Sequence, residues 1–351
     1  MKVHRTPGMG VTTVGIAILI PRVLGFVAPF PLLPMTHGMV KSTGRMGAPK
    51  LEGTEVRVSS RNARGLVMQA QVAELTPRRE QFFRMVSQGL EVGFENEDVS
   101  RVEDFVRYCR GELQPEVLET LHQPCEEYVK GMRAKPWWNA EEFPWVKKLE
   151  AESHIILDEF NAFMDNPLSS FARDSAYSEI MGAGWSGVRL QRLGKWIPEN
   201  CSKFPKSVQL LRNLDIPIAV RGVMFARQVP GTGVSPHSDG RNFILTAHLG
   251  VRIPKDCWMR VGEEKRTWEE GKCLILDTSF EHETGNMSNQ DRIVMIIDYW
   301  HPDLTRAEQD ALAFVYDLRN CFESGEIPLD KTSEEEGGGV FGALKKAFGV
   351  N

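Results

Sequence analysis

No pair of cysteines in this chain has the CxxC spacing. Cys109, Cys125, Cys201, Cys257, Cys273 and Cys321 are scattered singly through 351 residues. That excludes a ribbon-type zinc site and gives little support to a disulfide framework. An uninterrupted apolar run of about 20 residues, the length a membrane-spanning helix needs, is also missing. The stretch Val11 to Ile20 is stopped by Pro21 and Arg22. Positive charge is scarce after residue 65. Residues 1–65 hold nine Lys or Arg against Glu52 and Glu55, leaving 33 basic and 45 acidic residues, a net −12, for the remainder. An acidic folded part argues against nucleic acid as a partner. What remains is ordinary: 42% apolar and 25% charged residues suit a soluble globular protein, with one large catalytic domain and helical additions or two small domains.

The first 65 residues read as an address. Lys2, His4 and Arg5 precede the apolar stretch Val11 to Ile20, the pattern of a secretory signal. A second apolar patch contains Gly25-Phe26-Val27-Ala28-Pro29, and Lys41 to Arg64 is basic and rich in Ser and Gly. Together these resemble a bipartite plastid presequence. A plain secretory signal, an N-terminal anchor at the endoplasmic reticulum and a disordered tail remain open, and any membrane contact is expected only through this segment.

From residue 66 to about 175 the pattern is helical. Thr76-Pro77 offers a helix start, followed by Phe82, Phe83, Val86 and Leu90 and closed by Gly93. Ser100 and Glu103 have capping-box spacing ahead of Phe105, Val106 and Cys109. A third helix is expected from Pro115 towards Met132. A fourth carries Leu149, Ile156, Phe160 and Phe163 on one stripe and stops at Asp165-Asn166-Pro167. No glycine loop or cluster of acids or histidines marks these helices as a site.

From Ile218 the period changes from 3.6 to 2. Strands are expected at Ile218–Arg227, Phe243–Ile253, Cys257–Val261, Lys272–Thr278 and Arg292–Trp300. The second alternates, with Phe243, Leu245, Ala247, Leu249 and Val251 on one face and Thr246, His248 and Gly250 on the other. Short strands without intervening helices imply a mainly β fold with flanking helices, its core a double-stranded β-helix, or jelly roll, over about 176–325. Residues 326–351 read as a flexible tail, with a short docking helix as the alternative.

Three residues carry the chemistry. His237 and Asp239, in Ser-Pro-His-Ser-Asp-Gly, and the distant His282 have the sequence form of a two-histidine, one-carboxylate facial triad, which holds Fe(II) by one face. Ten residues past His282, Arg292 opens the apolar run Ile-Val-Met-Ile-Ile, where a cation wants a specific partner such as the carboxylate of a keto acid. Val294 and Ile296 are candidates to line a pocket for its alkyl part. Iron, 2-oxoglutarate and O₂ are the expected reactants. His248, on the polar strand face, reads equally as a hydrogen-bonded sheet histidine. Glu281 and Glu283 either orient the site or are solvated charges.

Pro236-His-Ser-Asp-Gly-Arg-Asn-Phe-Ile-Leu-Thr-Ala-His-Leu-Gly250, Thr267-Trp-Glu-Glu-Gly-Lys272, Leu276-Asp-Thr-Ser-Phe-Glu-His-Glu283 and Asp298-Tyr-Trp-His-Pro302 resemble the aspartyl/asparaginyl β-hydroxylase family. Gly131-Met-Arg-Ala-Lys-Pro-Trp-Trp138 resembles the start of its catalytic domain, so the likeness spans about residues 120–320. The resemblance implies that His237 and His282 are iron ligands and that Arg292 and His248 bind 2-oxoglutarate. Asn242 matches a family asparagine, without a role. Animal members carry glycine at the place of Asp239, so here a full triad is expected. The substrate stays open between protein side chains, lipids and small metabolites. A non-catalytic jelly-roll binding module and a cupin-like enzyme using no keto acid are the competing classes.

Overall fold

The computed structural model describes residues 77–115, 122–123, 125–167, 169, 171 and 184–327. The address segment, much of the expected third helix and nearly all of the tail lie outside the described residues. Two helices come first, α1 (Pro77–Gly93) and α2 (Ser100–Arg110). Phe82, Phe83, Val86 and Leu90 are buried as the spacing predicts. The Ser100 capping box does not form. Val99 occupies the cap position, and Asp98 Oδ1 instead accepts from Ser100 N at 3.2 Å and Ser100 Oγ at 2.8 Å. Gly111 ends α2 in the left-handed region with φ 80°.

The expected third helix is a correction. The described part of 122–132 is irregular chain that bridges to the sheets at His122–Phe280 and Glu127–Arg241. Strand β1 (Trp137–Trp138) and a short 3₁₀ turn follow, then α3 (Pro144–Ala151) and α4 (Ser153–Asp165). Leu149 therefore belongs to a helix separate from Ile156, Phe160 and Phe163, although all four are buried in one cluster. Asn166, forced from helical geometry by Pro167, is extended and ends α4.

The remaining elements are β2 (Trp185–Arg192), β3 (Lys195–Trp196), α5 (Pro198–Cys201), α6 (Pro205–Asn213), β4 (Ile218–Gln228), β5 (Thr232–His237), β6 (Ile244–Arg252), β7 (Cys257–Val261), β8 (Glu264–Arg266), β9 (Cys273–Asp277), β10 (His282–Asn286), β11 (Arg292–Trp300) and α7 (Arg306–Glu323). They form two antiparallel sheets, ordered β1-β9-β6-β11-β4-β2-β3 and β5-β10-β7-β8. This is the expected jelly-roll core. All six cysteines are free. Among the described residues no helix is long and apolar enough to cross a membrane.

Strand alternation sorts the core into layers. Leu245, Ala247, Leu249, Val223, Phe225 and Ile297 face α3, α4 and α6. Met224, Ala226, Val294 and Leu276 face the small sheet's Val234, Met259 and Val261. Phe243, Ile244 and Trp300 close one end against α1, α2 and α7. β6 is thus buried on both faces, including Thr246 and His248, because it runs centrally in the large sheet. The aromatic centre of the helix-side layer is Phe225, fully buried with Phe204 at 4.5 Å and Phe160 at 5.1 Å between ring centroids. Phe225→Ala is expected to cost about 3–5 kcal/mol of stability, read as a lower urea midpoint of unfolding. A loss below about 1 kcal/mol would show that this layer is not the mechanical core.

Candidate metal centre

The site lies between the sheets where two short strands pair, with a register shift between Thr284 and His282 that brings the two histidines opposite each other. β5 ends at His237 and β10 begins at His282, and these two residues are direct cross-strand partners. Their ring centroids are 4.2 Å apart. Each ring is oriented by the carbonyl two residues before it: His237 Nδ1 is 2.8 Å from Ser235 O, and His282 Nδ1 is 3.0 Å from Phe280 O. A carbonyl only accepts, so each Nδ1 carries a hydrogen, which leaves Nε2 as the atom of a neutral ring that can meet a metal.

Asp239 follows β5 and is placed by its backbone N–H, which donates to Thr278 O at 2.9 Å. Its Oδ1 lies 4.0 Å from His237 Nε2. One donor atom each from His237, Asp239 and His282 falls within 4.8 Å of the others, a spacing one metal ion could bridge. Burial would raise the Asp239 carboxyl. Arg221 beside it, with His282 and His237, reverses that and holds it well below the usual carboxylate range.

Arg292 opens β11 opposite Gln228 of β4. It is 2% exposed and forms no salt bridge among the described residues. Its guanidinium donates to Gln228 Oε1, which also accepts from Thr284 Oγ1 at 3.2 Å, while Nε has no hydrogen-bond partner. Burial lowers its pKa only to about 10, so it stays cationic at neutral pH. Trp268 lies against it, with Cζ 4.6 Å from the ring centroid, and His248 stacks on the same indole at 6.1 Å and 19°. Trp268 reaches this place because its loop crosses β6 at Gly250, where a Cβ would stand 2.2 Å from Glu269 O. His248 is neutral, pushed down to about 3 by burial and by Arg292, and its Nδ1 is unpartnered.

These groups share one cavity that opens to solvent. His237, Asp239, His248, His282 and Arg292 all line it, with Ile296 and Met259 as apolar wall. Val294 packs in the inter-sheet core instead. Glu281 and Glu283 do not reach the cavity; both pair with Arg260, at 2.8 and 2.5 Å. Asn242 is structural: its amide bonds Val129 N and O at 2.9 Å each, fastening the 125–132 segment. Sequence reasoning missed Arg221, Gln228, Thr246 and Thr278, which also line the site or support it. For Arg221 a signal existed, an arginine followed by glycine inside an apolar strand.

A jelly roll with a two-histidine, one-carboxylate cluster and an unpaired arginine between its sheets defines the class. Residues 150–302 match the family model described as aspartyl/asparaginyl beta-hydroxylase. The human protein named aspartyl/asparaginyl beta-hydroxylase is 36% identical over 190 residues, 52% of this chain and 25% of that protein. Aspartate beta-hydroxylase domain-containing protein 2 of Xenopus tropicalis is 32% identical over 178 residues, 49% of this chain and 48% of that protein. Over the matched segment the chain is similar to the aspartyl/asparaginyl β-hydroxylase family. The chain spans from a quarter to about half the length of these relatives. A solved 2OG-Fe(II) oxygenase family structure from Burkholderia pseudomallei overlays 41% of this chain and 78% of that one, at 10% identity and TM-score 0.29, too loosely to carry an argument.

The buried titratable groups set a pH dependence. Burial lowers His248 to about 3 and His282 and His301 to about 4, and raises Asp277 to about 7. Below about pH 6.5 unfolded histidines take up protons that these three refuse. Asp277 acts oppositely, since between about pH 4 and 7 the folded state holds a proton the unfolded chain releases. Three against one leaves the unfolded chain binding about two more protons between roughly pH 4.5 and 6.5, so stability falls with falling pH. The urea midpoint of metal-free protein is expected to drop steadily across that window. A flat or rising midpoint would count against the burial of these histidines.

Proposed function

We propose that this chain is an Fe(II)- and 2-oxoglutarate-dependent dioxygenase that hydroxylates an unactivated C–H bond, its target the β-carbon of an aspartyl or asparaginyl residue in a protein. The observation that carries the cosubstrate is Arg292, a buried cation with no carboxylate partner among the described residues, on a wall of the cavity that holds the triad. An unpaired charge in such a place is costly unless an anion joins it. The fit of a metal rests on the donors themselves: Nε2 of His237 is buried and unpartnered, and the neighbouring carboxylate is ionised.

His237, Asp239 and His282 would hold the iron, and the backbone carbonyls behind the two histidines fix their rings. Bound Fe(II) with 2-oxoglutarate and O₂ supplies oxidative decarboxylation to succinate and CO₂ and delivery of one oxygen atom into a C–H bond. Arg292 would pair with the distal carboxylate of the keto acid, a contact its planar fork suits. Gln228 and Trp268 hold that fork in place, and Ile296 offers apolar wall to the methylenes. Neutral His248 presents a polar atom there without adding charge.

The β-carbon target rests on the name shared by the relatives. Lipid and small-metabolite hydroxylation are alternative outcomes of the same assay, and a binding module would show no turnover. Anaerobic Fe(II)-loaded full-length protein titrated with 2-oxoglutarate should develop the weak visible charge-transfer band of an iron–keto-acid complex. His237→Ala should abolish it, and Arg292→Ala should weaken 2-oxoglutarate binding by about 100-fold, as expected for a buried charge pair worth roughly 3 kcal/mol. Aerobic turnover should yield succinate and a 16 Da gain on Asp- or Asn-containing peptides. Iron binding without any band would sink the keto-acid reading and favour a cupin-like enzyme.

For residues 1–65 we infer delivery through the secretory route, with a plastid as the finer possibility the Gly25–Pro29 junction supports. A fluorescent protein fused to this segment should enter membrane-bound organelles; diffuse cytosolic fluorescence would refute it.

A further inference from the structure

Alternation along β4 sends Met224, Ala226 and Gln228 between the sheets, and Val223 and Phe225 towards the helices. Continued strictly, it would put Arg221 on the helix side with Val223 and Phe225. Arg221 lines the cavity instead. The reversal coincides with Gly222, whose φ is +80° and whose Cβ, if present, would stand 2.0 Å from Gln191 O. Against β11 the pairing slips across this point, with Val223 to Ile218 of β4 opposite only Ile297 to Tyr299, and against β2 it shifts next to it, between Arg189 and Gln191. A β-bulge of this kind re-aims a side chain, and bulges recur beside functional sites.

Turned inward, Arg221 stands between two carboxylates. Nη1 donates to Asp239 Oδ2, and Nε lies 3.1 Å from Asp298 Oδ2. Asp298 is itself held by Thr246 Oγ1, which donates to Oδ1 at 2.6 Å. Asp298 is 3% exposed, so it meets the guanidinium away from water. The Arg221–Asp298 pair therefore gives Asp239 a strong donor without adding net charge beside a cation site. With Oδ2 engaged, Oδ1 is the oxygen on the side of His237 Nε2, 4.0 Å away.

We propose that Arg221 is a positioning residue, swung into the cavity by the Gly222 bulge and balanced by Asp298, which fixes Asp239 so that one carboxylate oxygen alone meets the metal. This rests on the metal-centre reading of the triad. Its consequence is an uncluttered centre: a carboxylate that binds through one oxygen leaves more positions for cosubstrate and dioxygen than one that swings to bind through both. It also accounts for a buried polar chain, Thr246–Asp298–Arg221–Asp239, that runs from the middle of the large sheet to the triad.

The test is a double-mutant cycle on metal affinity, which does not depend on turnover. Co(II) affinity is measured by titration of its visible absorption in the full-length wild type, Arg221→Met, Asp239→Ala and the double variant. If Arg221 acts through Asp239, Arg221→Met weakens Co(II) binding by about 10- to 100-fold in the wild-type background and by less than about twofold in the Asp239→Ala background, where no coupling remains. Arg221→Lys should recover part of the loss. Should Arg221→Met fail to fold, Arg221→Gln replaces it in the same cycle, with thermal unfolding as the check. Equal weakening in both backgrounds, or none in the first, would overturn the role of Arg221 alone. A wild type that binds no Co(II) would overturn the metal-centre reading and this proposal with it.

Discussion

The site depends first on the antiparallel pairing of β5 with β10. A two-histidine cluster needs both rings on one side of a sheet at one level, and the His237–His282 register supplies this directly. Side chains alternate with a period of two, so a slip by one residue would turn one histidine out of the cavity. β5 is an edge strand and could not secure the register alone. β10 is held on its other side by β7 along its whole length, from His282 opposite Val261 to Asn286 opposite Cys257. The metal centre therefore borrows its precision from a strand whose own sequence, His-Glu-Thr-Gly-Asn, holds no large apolar residue.

Around that pair the protein treats two buried charges in opposite ways. Asp239 is matched, by Arg221 and through it by Asp298. Arg292 is left with a glutamine oxygen and an indole face. Desolvating a charge costs several kcal/mol unless a partner compensates. The matched charge is thus satisfied within the molecule, while the unmatched one is the observation on which the proposed anion site rests. The two lie in one cavity, and this proximity is what supports the proposed pairing of metal and keto acid.

Much of this was legible in advance. Period-2 apolar runs located β4, β6, β7, β9 and β11 to within a residue or two, since those strands fill the core. The spacing His237-x-Asp239, His282 and Arg292 named the groups that meet in the cavity. β10 and β2 were not legible: the first is polar, and the second is broken by Gly187 and Gln191, so neither shows an apolar rhythm. The described part of the expected third helix is irregular because apolar residues such as Tyr128 and Val129 are buried by tertiary contact with α2 and Asn242, not by a helical face. Glu281 and Glu283 read either as orienting the site or as solvated charges; pairing with Arg260 holds both away from the cavity.

What the amino-acid order alone determined is the chemistry on offer: donor types, an arginine at the mouth of an apolar strand, a jelly-roll rhythm and an acidic folded part. These are local properties, set by side-chain identity and by the two-residue period of a strand. The tertiary structure decided which groups meet. The register that faces His237 to His282, the Gly222 bulge that turns Arg221 inward, and the loop crossing Gly250 that brings Trp268 to Arg292 and His248 all depend on long-range pairing. Such pairings join residues tens of positions apart, and no spacing in the chain encodes the angle at which they arrive.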